Sequence, residues 1–259
     1  MRKLILIIGI VCCVVWLLPI ITFAKIDPET AVGVWLFDEG SGNSAEDSSG
    51  KDHEGTINGA SWTDGKFGEA LEFDGDDWVS IESTPALQIG EAYTLMAWFF
   101  AADIGNYRMI ISKNAEYLMR INNPGEGNQM ATFVHLGGWE PRAIAGVPDL
   151  ETWIHLSVTF DSNKNTNNLL IYVDGKQAGM SSRTGASAPT QNPVAIGRWN
   201  TGSYFVGIID DVAIFNTALS EEDINTIKDH GLDAALGGVS PVEAANKLAT
   251  TWGNLKSDR

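Results

Sequence analysis

The sequence predicts an all-β protein, an antiparallel β-sandwich followed by short C-terminal helices. From Ala31 to Phe215, short runs rich in β-branched and aromatic residues alternate with clusters of Gly, Asn, Asp and Pro, as strands joined by turns do. No helix-length periodic segment interrupts these runs. The roughly 235 residues that follow the first apolar stretch suit one large all-β domain.

The chain begins with a short basic segment and an apolar run. Arg2 and Lys3 precede an almost unbroken apolar stretch over residues 4–23, and Thr22-Phe23-Ala24 offers small residues before a cleavage point. This pattern is typical of a signal peptide, so we expect the mature chain to begin at Lys25 without stable membrane insertion. An uncleaved anchor is the alternative. Both interpretations predict a secreted, periplasmic or cell-surface location for the remainder.

Strands are predicted in order along the chain. In the run that starts at Trp153, Ile154 and the apolar residues at alternate positions after it would face the core, as in a half-buried strand. Asp174-Gly175 predicts a tight hairpin turn and a further strand near Gln177. The predicted strands are 32–37, 70–73, 78–81, 93–100, 109–112, 117–121, 130–136, 153–160, 169–173, 194–196 and 205–215.

Two helices are predicted to close the chain. Ser220 caps the first, acidic residues 221–223 lie at its positive end, and Gly231 ends it. The second begins at Ser240-Pro241-Val242-Glu243, after a Gly237-Gly238 hinge. Its apolar stripe needs a partner surface, on the sandwich or on another protein. The predicted organisation is a signal peptide (1–24), a sandwich domain (25–231), and a hinge with an amphipathic helix (232–259).

The net charge and the cysteine content limit the kinds of binding partner and the kinds of site that this chain can have. The formal net charge is −16, and such a surface repels phosphate backbones and anionic membranes, so nucleic acid is a poor candidate partner. Cys12 and Cys13 are the only cysteines, and both lie in the apolar run. The exported part therefore has no disulfide, thiol nucleophile or cysteine metal site.

Four segments carry a recognisable pattern. They are VWLFDEGSG at 34–42 with DSSG at 47–50 and GTINGA at 55–60; GKFGEALEFDGDDWV at 65–79; WIHLSVTFD at 153–161 with LIYVDGK at 170–176; and GIIDDVAIFN at 207–216 with ALS at 218–220. In order and spacing they resemble the laminin G-like jelly-roll family of the concanavalin A-like lectin and glucanase superfamily. The resemblance implies a concanavalin A-like jelly roll over about residues 31–231.

The resemblance also implies a structural calcium ion where the opening and closing strands meet. Carried over by position, its ligands would be Asp38 and Asp211, with Asp210 and Glu39 as further candidates. Calcium binds several hard oxygen ligands. Alternatively, these carboxylates cap turns and accept hydrogen bonds from backbone amides. A second acidic cluster, Asp74-Gly75-Asp76-Asp77, predicts a turn, with a cation site as the less favoured interpretation.

A candidate ligand site is formed by aromatic and polar residues in loops rich in Gly and Asn. Aromatic faces stack on the C–H surfaces of sugars, while amides and guanidinium groups bond to hydroxyls. For Trp139 and Trp199, packing is an equal alternative, and Trp35, Trp98 and Trp153 are expected in the core. The candidate ligand residues are Trp139, Arg142, Trp199, Asn200 and Tyr204, with Arg108 and Arg198 beside them.

The sequence carries no catalytic signature that we recognise. Glucanases of this fold place Glu, Asp and Glu alternately on one strand, and that pattern is absent, as are a Gly-x-Ser-x-Gly elbow and paired histidines. We therefore predict an exported, non-catalytic module that binds carbohydrate or glycoprotein. The alternatives are a structural or adhesive module whose tail from Ser240 binds another protein and, less favoured, a glycoside hydrolase.

Overall fold

The computed structural model describes residues 26–200 and 202–238. The predicted signal peptide and the predicted helix from Ser240 lie outside these residues. The strands are β1 Ala31–Trp35, β2 Ser44–Ala45, β3 Gly55–Asn58, β4 Ser61–Asp64, β5 Glu69–Phe73, β6 Trp78–Ile81, β7 Ala92–Ala101, β8 Arg108–Lys113, β9 Tyr117–Ile121, β10 Met130–Val134, β11 Ala143–Ile144, β12 Trp153–Asp161, β13 Leu169–Val173, β14 Lys176–Ser181, β15 Val194–Ile196 and β16 Gly207–Phe215, followed by helices α1 Glu221–His230 and α2 Leu232–Ala235.

Two eight-stranded antiparallel sheets form the sandwich. The first sheet has the order β14-β13-β12-β7-β16-β5-β4, with β1 also paired to β16, and the second has the order β11-β10-β9-β8-β15-β6-β3-β2. The main apolar core lies between them and draws side chains from both sheets. The predicted β-sandwich jelly roll is confirmed. None of the helices that the structure describes is long and apolar enough to cross a membrane.

The outer face of the first sheet is covered by the C-terminal helices. On β12, Ile154 and Leu156 point into the main core, while His155 on the opposite face is also buried, at 1% exposure. Helix α1 supplies Ile224 and Ile227 to a second apolar cluster on that outer face. Among the described residues, the helices contribute to this cluster and not to the apolar cluster on the outer face of the second sheet.

Helix α1 begins and ends where the sequence predicts. Ser220 Oγ accepts a hydrogen bond from the Asp223 backbone N–H at 3.1 Å, and the Asp223 carboxylate accepts from the Ser220 N–H at 3.1 Å, which completes a capping box. Gly231 ends the helix with φ 80°. Leu232 and Leu236 are buried in the same cluster as α1, so the packed body continues to Leu236.

Most predicted strands match within two residues, and the differences have local causes. β2, β3, β4 and β11 were not predicted, because each has two to four residues and little apolar alternation. β16 begins at Gly207, so Phe205 is a buried core residue outside the strand. The expectation that Trp153 lies in the core is wrong. Trp153 is half-buried and packs on Phe100, with ring centroids 5.8 Å apart.

Candidate ligand-binding site

Half-buried aromatic side chains gather on the outer face of the second sheet. We call Trp78, Trp139, Arg198, Trp199 and Tyr204 the aromatic face. Trp78 lies on β6, where successive side chains point to opposite faces; Val79 is in the core, so Trp78 points outward. Beneath Trp139 and Trp199 lies a small apolar cluster that contains Met109, Leu118, Ala131 and Phe133.

A glycine turns Arg198 and Trp199 onto this face. Gly197 follows β15 with φ 82°, and a Cβ there would lie 2.6 Å from a ring carbon of Phe73, so no other residue fits without strain. Trp199 and Gly202 then exchange two backbone hydrogen bonds of 3.1 Å each. Asn200, in this tight turn, has φ 51°, which gives the candidate ligand Asn200 a structural reason for being asparagine.

The loop that carries Trp139 is held by hydrogen bonds from Arg183. The Arg183 guanidinium donates to the carbonyl oxygens of Gly138 at 2.7 Å and Val134 at 3.1 Å. The Trp139 ring meets Trp199 edge to face, with centroids 6.4 Å apart and an interplanar angle of 88°. The structure therefore brings these two candidate residues into contact, although they are far apart in sequence. Each packs on the apolar cluster and remains half-exposed.

Trp78 and Tyr204 extend the face. Their ring centroids lie 6.3 Å apart, and the guanidinium carbon of Arg198 lies 3.8 Å from the Trp78 ring centroid. Trp78 is absent from the ligand residues predicted from the sequence. The alternation along residues 78–81 predicts that Trp78 points away from the core. The sequence does not show which outer face of the sandwich the helices cover.

Arg142 belongs to an ion-pair network beside the aromatic face. Its guanidinium pairs with Glu126 and, at 2.9 Å, with Glu140. Arg120 approaches the same Glu126 carboxylate at 3.3 Å, and the Tyr107 hydroxyl donates to it at 2.5 Å. Burial opposes ionisation of Glu126, but the bonds from Tyr107 and Arg142 outweigh it and lower the Glu126 pKa.

The predicted calcium ligands hold backbone turns together. Asp210 Oδ2 accepts from the backbone N–H groups of Lys66 at 2.7 Å and Phe67 at 3.0 Å, and its Oδ1 accepts from the Asp211 N–H at 2.7 Å. Asp211 Oδ2 accepts from the Leu232 N–H at 3.1 Å. Asp211 sits at a bulge in β16 with φ 46°. These bonds tie β16 to the β4–β5 turn and to the start of α2.

The same carboxylates repel one another. Burial raises the pKa of Asp210 to about 7, and the charge of Asp38 adds to this shift. Burial and then the charge of Asp210 raise the pKa of Asp211. Burial also raises the pKa of Glu39, whose Oε2 is buried without a hydrogen-bond partner among the described residues.

The charge of this group suits a cation, but its atoms do not surround one point. Within the described residues, three carboxylate oxygens approach within 4.8 Å of one another only at Asp74, Asp76 and Asp77. Among the predicted ligands, Asp38 Oδ1 accepts from the Glu69 N–H at 2.9 Å, as the turn-capping alternative expects. The carboxylates therefore match that alternative in geometry, and calcium stays a prediction.

The Asp74–Asp77 cluster forms the predicted turn between β5 and β6. Asp77 is buried, and its Oδ2 accepts from the Asp74 N–H at 2.8 Å. Gly75 has φ 114°, a conformation that glycine adopts readily. These contacts account for the Asp and Gly residues as turn formers.

A groove of about 400 Å³ lies elsewhere, at the start of β7. Gln88, Glu91, Asn163 and Asn216 are among its ten lining residues, none of which is aromatic. It therefore lacks the stacking surfaces that the aromatic face offers.

Solved structures with similar folds include binding domains and enzymes. Domain 4 of AbnA, an extracellular arabinanase of Geobacillus stearothermophilus solved in complex with arabinotriose, is 17% identical with a TM-score of 0.59, and the alignment covers 77% of this chain and 98% of that domain. The binding domain of Paraclostridial Mosquitocidal Protein 1 is 12% identical with a TM-score of 0.63, covering 78% of this chain and 52% of that one. Trypanosoma rangeli sialidase is 16% identical with a TM-score of 0.59, covering 81% and 33%.

These likenesses show the fold. No curated protein matches the sequence significantly. Residues 73–225, more than half of the chain, match the family model of laminin G-like domains in the concanavalin A-like lectin/glucanases superfamily. The matched segment includes Trp78, Trp139, Arg198, Trp199 and Tyr204. The chain belongs to this laminin G-like family of the concanavalin A-like superfamily.

Proposed function

We propose that the chain is an exported, non-catalytic module that binds carbohydrate or glycoprotein through the aromatic face. The observation that carries the proposal is the convergence of four half-buried aromatic residues on the outer face of the second sheet: Trp78, Trp139, Trp199 and Tyr204. Aromatic rings with one exposed side stack on the C–H faces of sugar rings, and nearby polar groups bond to hydroxyls. A similar solved domain holds arabinotriose, which supports a saccharide ligand for this fold.

The carboxylates beside the aromatic face favour binding over hydrolysis. A glycosidase needs one carboxyl group that holds a proton near neutral pH and a second across the glycosidic bond. Glu126 has a lowered pKa because, although burial opposes it, Tyr107 and Arg142 stabilise its ionised form. Such a group is a poor general acid. Glycoside hydrolysis therefore remains the less favoured alternative.

A protein-binding role is a second candidate, supported by exposed apolar residues at one side of the sandwich. Ile144 is 41% exposed and Met180 is 51% exposed, on β11 and β14, whose backbones approach closely at Gly179. Val147 and Leu150 in the following loop are also exposed. An exposed apolar patch can mark a contact with another protein, as an adhesive module requires.

The test is binding of the purified chain to immobilised polysaccharides and to a glycan array. We expect Trp199→Ala to weaken binding at least about tenfold, as truncation of a central aromatic contact does. Trp153→Ala is the matched control, because Trp153 is also half-buried but lies on the first sheet. Equal binding by wild type and Trp199→Ala would remove the aromatic face as the site. Absence of binding to every glycan by folded protein would favour the protein-binding candidate.

We also propose that calcium, where present, is structural and binds near Asp38 and Asp211, with Asp210 and Glu39 in its surroundings. The raised pKa values of Asp210, Asp211 and Glu39, caused chiefly by burial, support this proposal because a cation would offset the cost of ionising them. Carboxylate oxygens are also the hard ligands that calcium prefers.

A further inference from the structure

We infer that the saccharide is anionic and that Arg198 binds its acidic group. The inference rests on the proposed function and specifies its ligand class, a sugar that carries a carboxylate or a sulfate. It follows from the hydrogen bonds and ion pairs made by the arginines around the aromatic face.

Three neighbouring arginines already have carboxylate partners. Arg108 pairs with Asp103 and donates to the Tyr204 carbonyl oxygen at 3.1 Å. Arg120 pairs with Glu126 at 3.3 Å, and Arg142 pairs with Glu126 and Glu140. Three carboxylates, those of Asp103, Glu126 and Glu140, thus balance these three cations.

Arg198 differs from them. Its guanidinium donates no hydrogen bond and forms no ion pair with any residue that the structure describes, and its Nε is buried without a partner. The side chain is nevertheless held in place. The guanidinium lies 3.8 Å from the Trp78 ring centroid, and the Arg198 backbone is fixed because its carbonyl oxygen accepts from Ser112 Oγ at 2.7 Å.

An oriented guanidinium without a partner is suited to an incoming anion. Its two terminal nitrogens offer four N–H donors in a planar fork that matches a carboxylate or sulfate. A half-buried cation gains more from such a partner than a fully hydrated one, because water screens it less. A neutral hydroxyl can accept one hydrogen bond but leaves the charge uncompensated. The chemistry of Arg198 therefore selects an acidic group.

The surroundings of Arg198 allow a sugar and its acidic group to bind together. Trp199 follows Arg198 directly, the Arg198 guanidinium lies over the Trp78 ring, and the Tyr204 ring lies beside that of Trp78. A pyranose stacked on one of these rings would place a substituent within reach of the guanidinium. Asp77 of the nearby acidic turn does not occupy that position, because its Oδ2 accepts from the Asp74 N–H and its other oxygen faces Gly59.

The net charge of −16 opposes the approach of an anionic glycan. Long-range attraction cannot bring an anionic glycan to this surface, so selectivity must come from a short-range contact. A single bidentate pair supplies such a contact.

Matched saccharide pairs test the inference. The probes are oligogalacturonate with its carboxyl-reduced form, sialyllactose with lactose, and a sulfated galactan oligosaccharide with its desulfated form. In at least one pair, we expect the wild-type chain to bind the acidic member roughly tenfold to a hundredfold more tightly, as a charge-assisted hydrogen bond provides. The pair that shows this preference identifies whether the acidic group is a uronate, a sialic acid or a sulfate.

Arg198→Met should remove the preference, so that the two members of the pair bind with equal affinity, because methionine keeps an apolar contact with Trp78 and loses the charge. Arg198→Lys should retain part of the preference, since lysine keeps the charge without the planar fork. Lys176→Met is the control for loss of one positive charge, because Lys176 is exposed on β14 at the edge of the first sheet.

Two results would overturn the inference alone. Equal affinity of the wild-type chain for both members of every pair would show that charge is not recognised, while carbohydrate binding would stand. A preference that survives in Arg198→Met would assign recognition to another residue. If folded protein binds no saccharide of either kind, the proposed function fails, and the inference fails with it.

Discussion

Replacing Asp211 with Asn is expected to stabilise the protein above neutral pH when a chelator is present. Asp211 is 4% exposed, and burial, followed by the charge of Asp210, raises its pKa. Asn has nearly the same shape and can accept the hydrogen bond that the Leu232 N–H donates to Asp211 at 3.1 Å. Asn also tolerates the φ of 46° at this position. The substitution therefore removes the charge and keeps the contacts.

The direction of the stability change follows from the raised pKa of Asp211. An unfolded Asp loses its proton near pH 3.8, whereas folded Asp211 keeps it to higher pH, so wild type loses stability as the pH rises through that window. Each pH unit in the window costs wild type up to about 1.36 kcal/mol.

The assay is urea unfolding of both proteins in EDTA between about pH 4 and about pH 8. The pH dependence of wild-type stability does not by itself reveal the contribution of Asp211. Burial lowers the pKa of His155 to about 3, so His155 removes stability as the pH falls below 6.5 and opposes the carboxylates in the same range. The difference between variant and wild type cancels this effect. That difference should grow in favour of Asn as the pH rises.

An Asp211→Asn protein less stable than wild type near pH 8 in EDTA would refute this reasoning, because the ionised carboxylate would then stabilise the fold. Asp64→Asn, at an exposed position on β4, controls for the loss of one negative charge. Added calcium tests the metal proposal separately. Calcium bound through Asp211 should stabilise wild type and not the variant, whereas an equal effect on both would remove Asp211 as a ligand.

Two further substitutions test a buried ion pair of the sandwich and the turn that positions Trp199 on the aromatic face. Lys113→Met should destabilise the protein by about 3–5 kcal/mol in urea unfolding, because Lys113 and Glu116 form a fully buried ion pair at 2.5 Å; an unchanged midpoint would contradict this. Gly197→Ala should cost at least about 1–2 kcal/mol and weaken glycan binding, since the added Cβ would contact Phe73 at 2.6 Å and displace Trp199. Wild-type stability and binding would show that Gly197 does not set the position of Trp199.

Sequence patterns predicted the strands that are rich in apolar residues. β6, β9, β13 and β15 have the predicted bounds, because β6 alternates in burial and the other three are short, mostly apolar runs between turn residues. β4 was missed, because its residues are all half-buried or exposed at a sheet edge and leave no apolar period. Edge strands of this kind are defined by their pairing partner, which a local pattern does not contain.

The sequence predicted most residues of the candidate site but not which of them come into contact. Loop position and residue type selected Trp139 and Trp199, but their contact depends on the turn at Gly197 and on the Arg183 bonds beneath the Trp139 loop. Trp78 was missed for a different reason. Its strand pattern shows only that it points away from the core, and the same alternation on β12 gives His155, which also points away from the core but is only 1% exposed.

The two sheets carry a similar pair of side chains with different consequences. On the first sheet, Lys66 lies 4.5 Å from the centroid of the Trp98 ring, but Trp98 is only 6% exposed, so this cation covers a surface that is already packed. On the second sheet, Trp78 is half-buried and Arg198 lies over it without a partner among the described residues. A cation–π contact holds each cation in place. Because the described helices pack on the first sheet and not on the second-sheet cluster, we expect the Arg198 pair, and not the Lys66 pair, to meet a ligand.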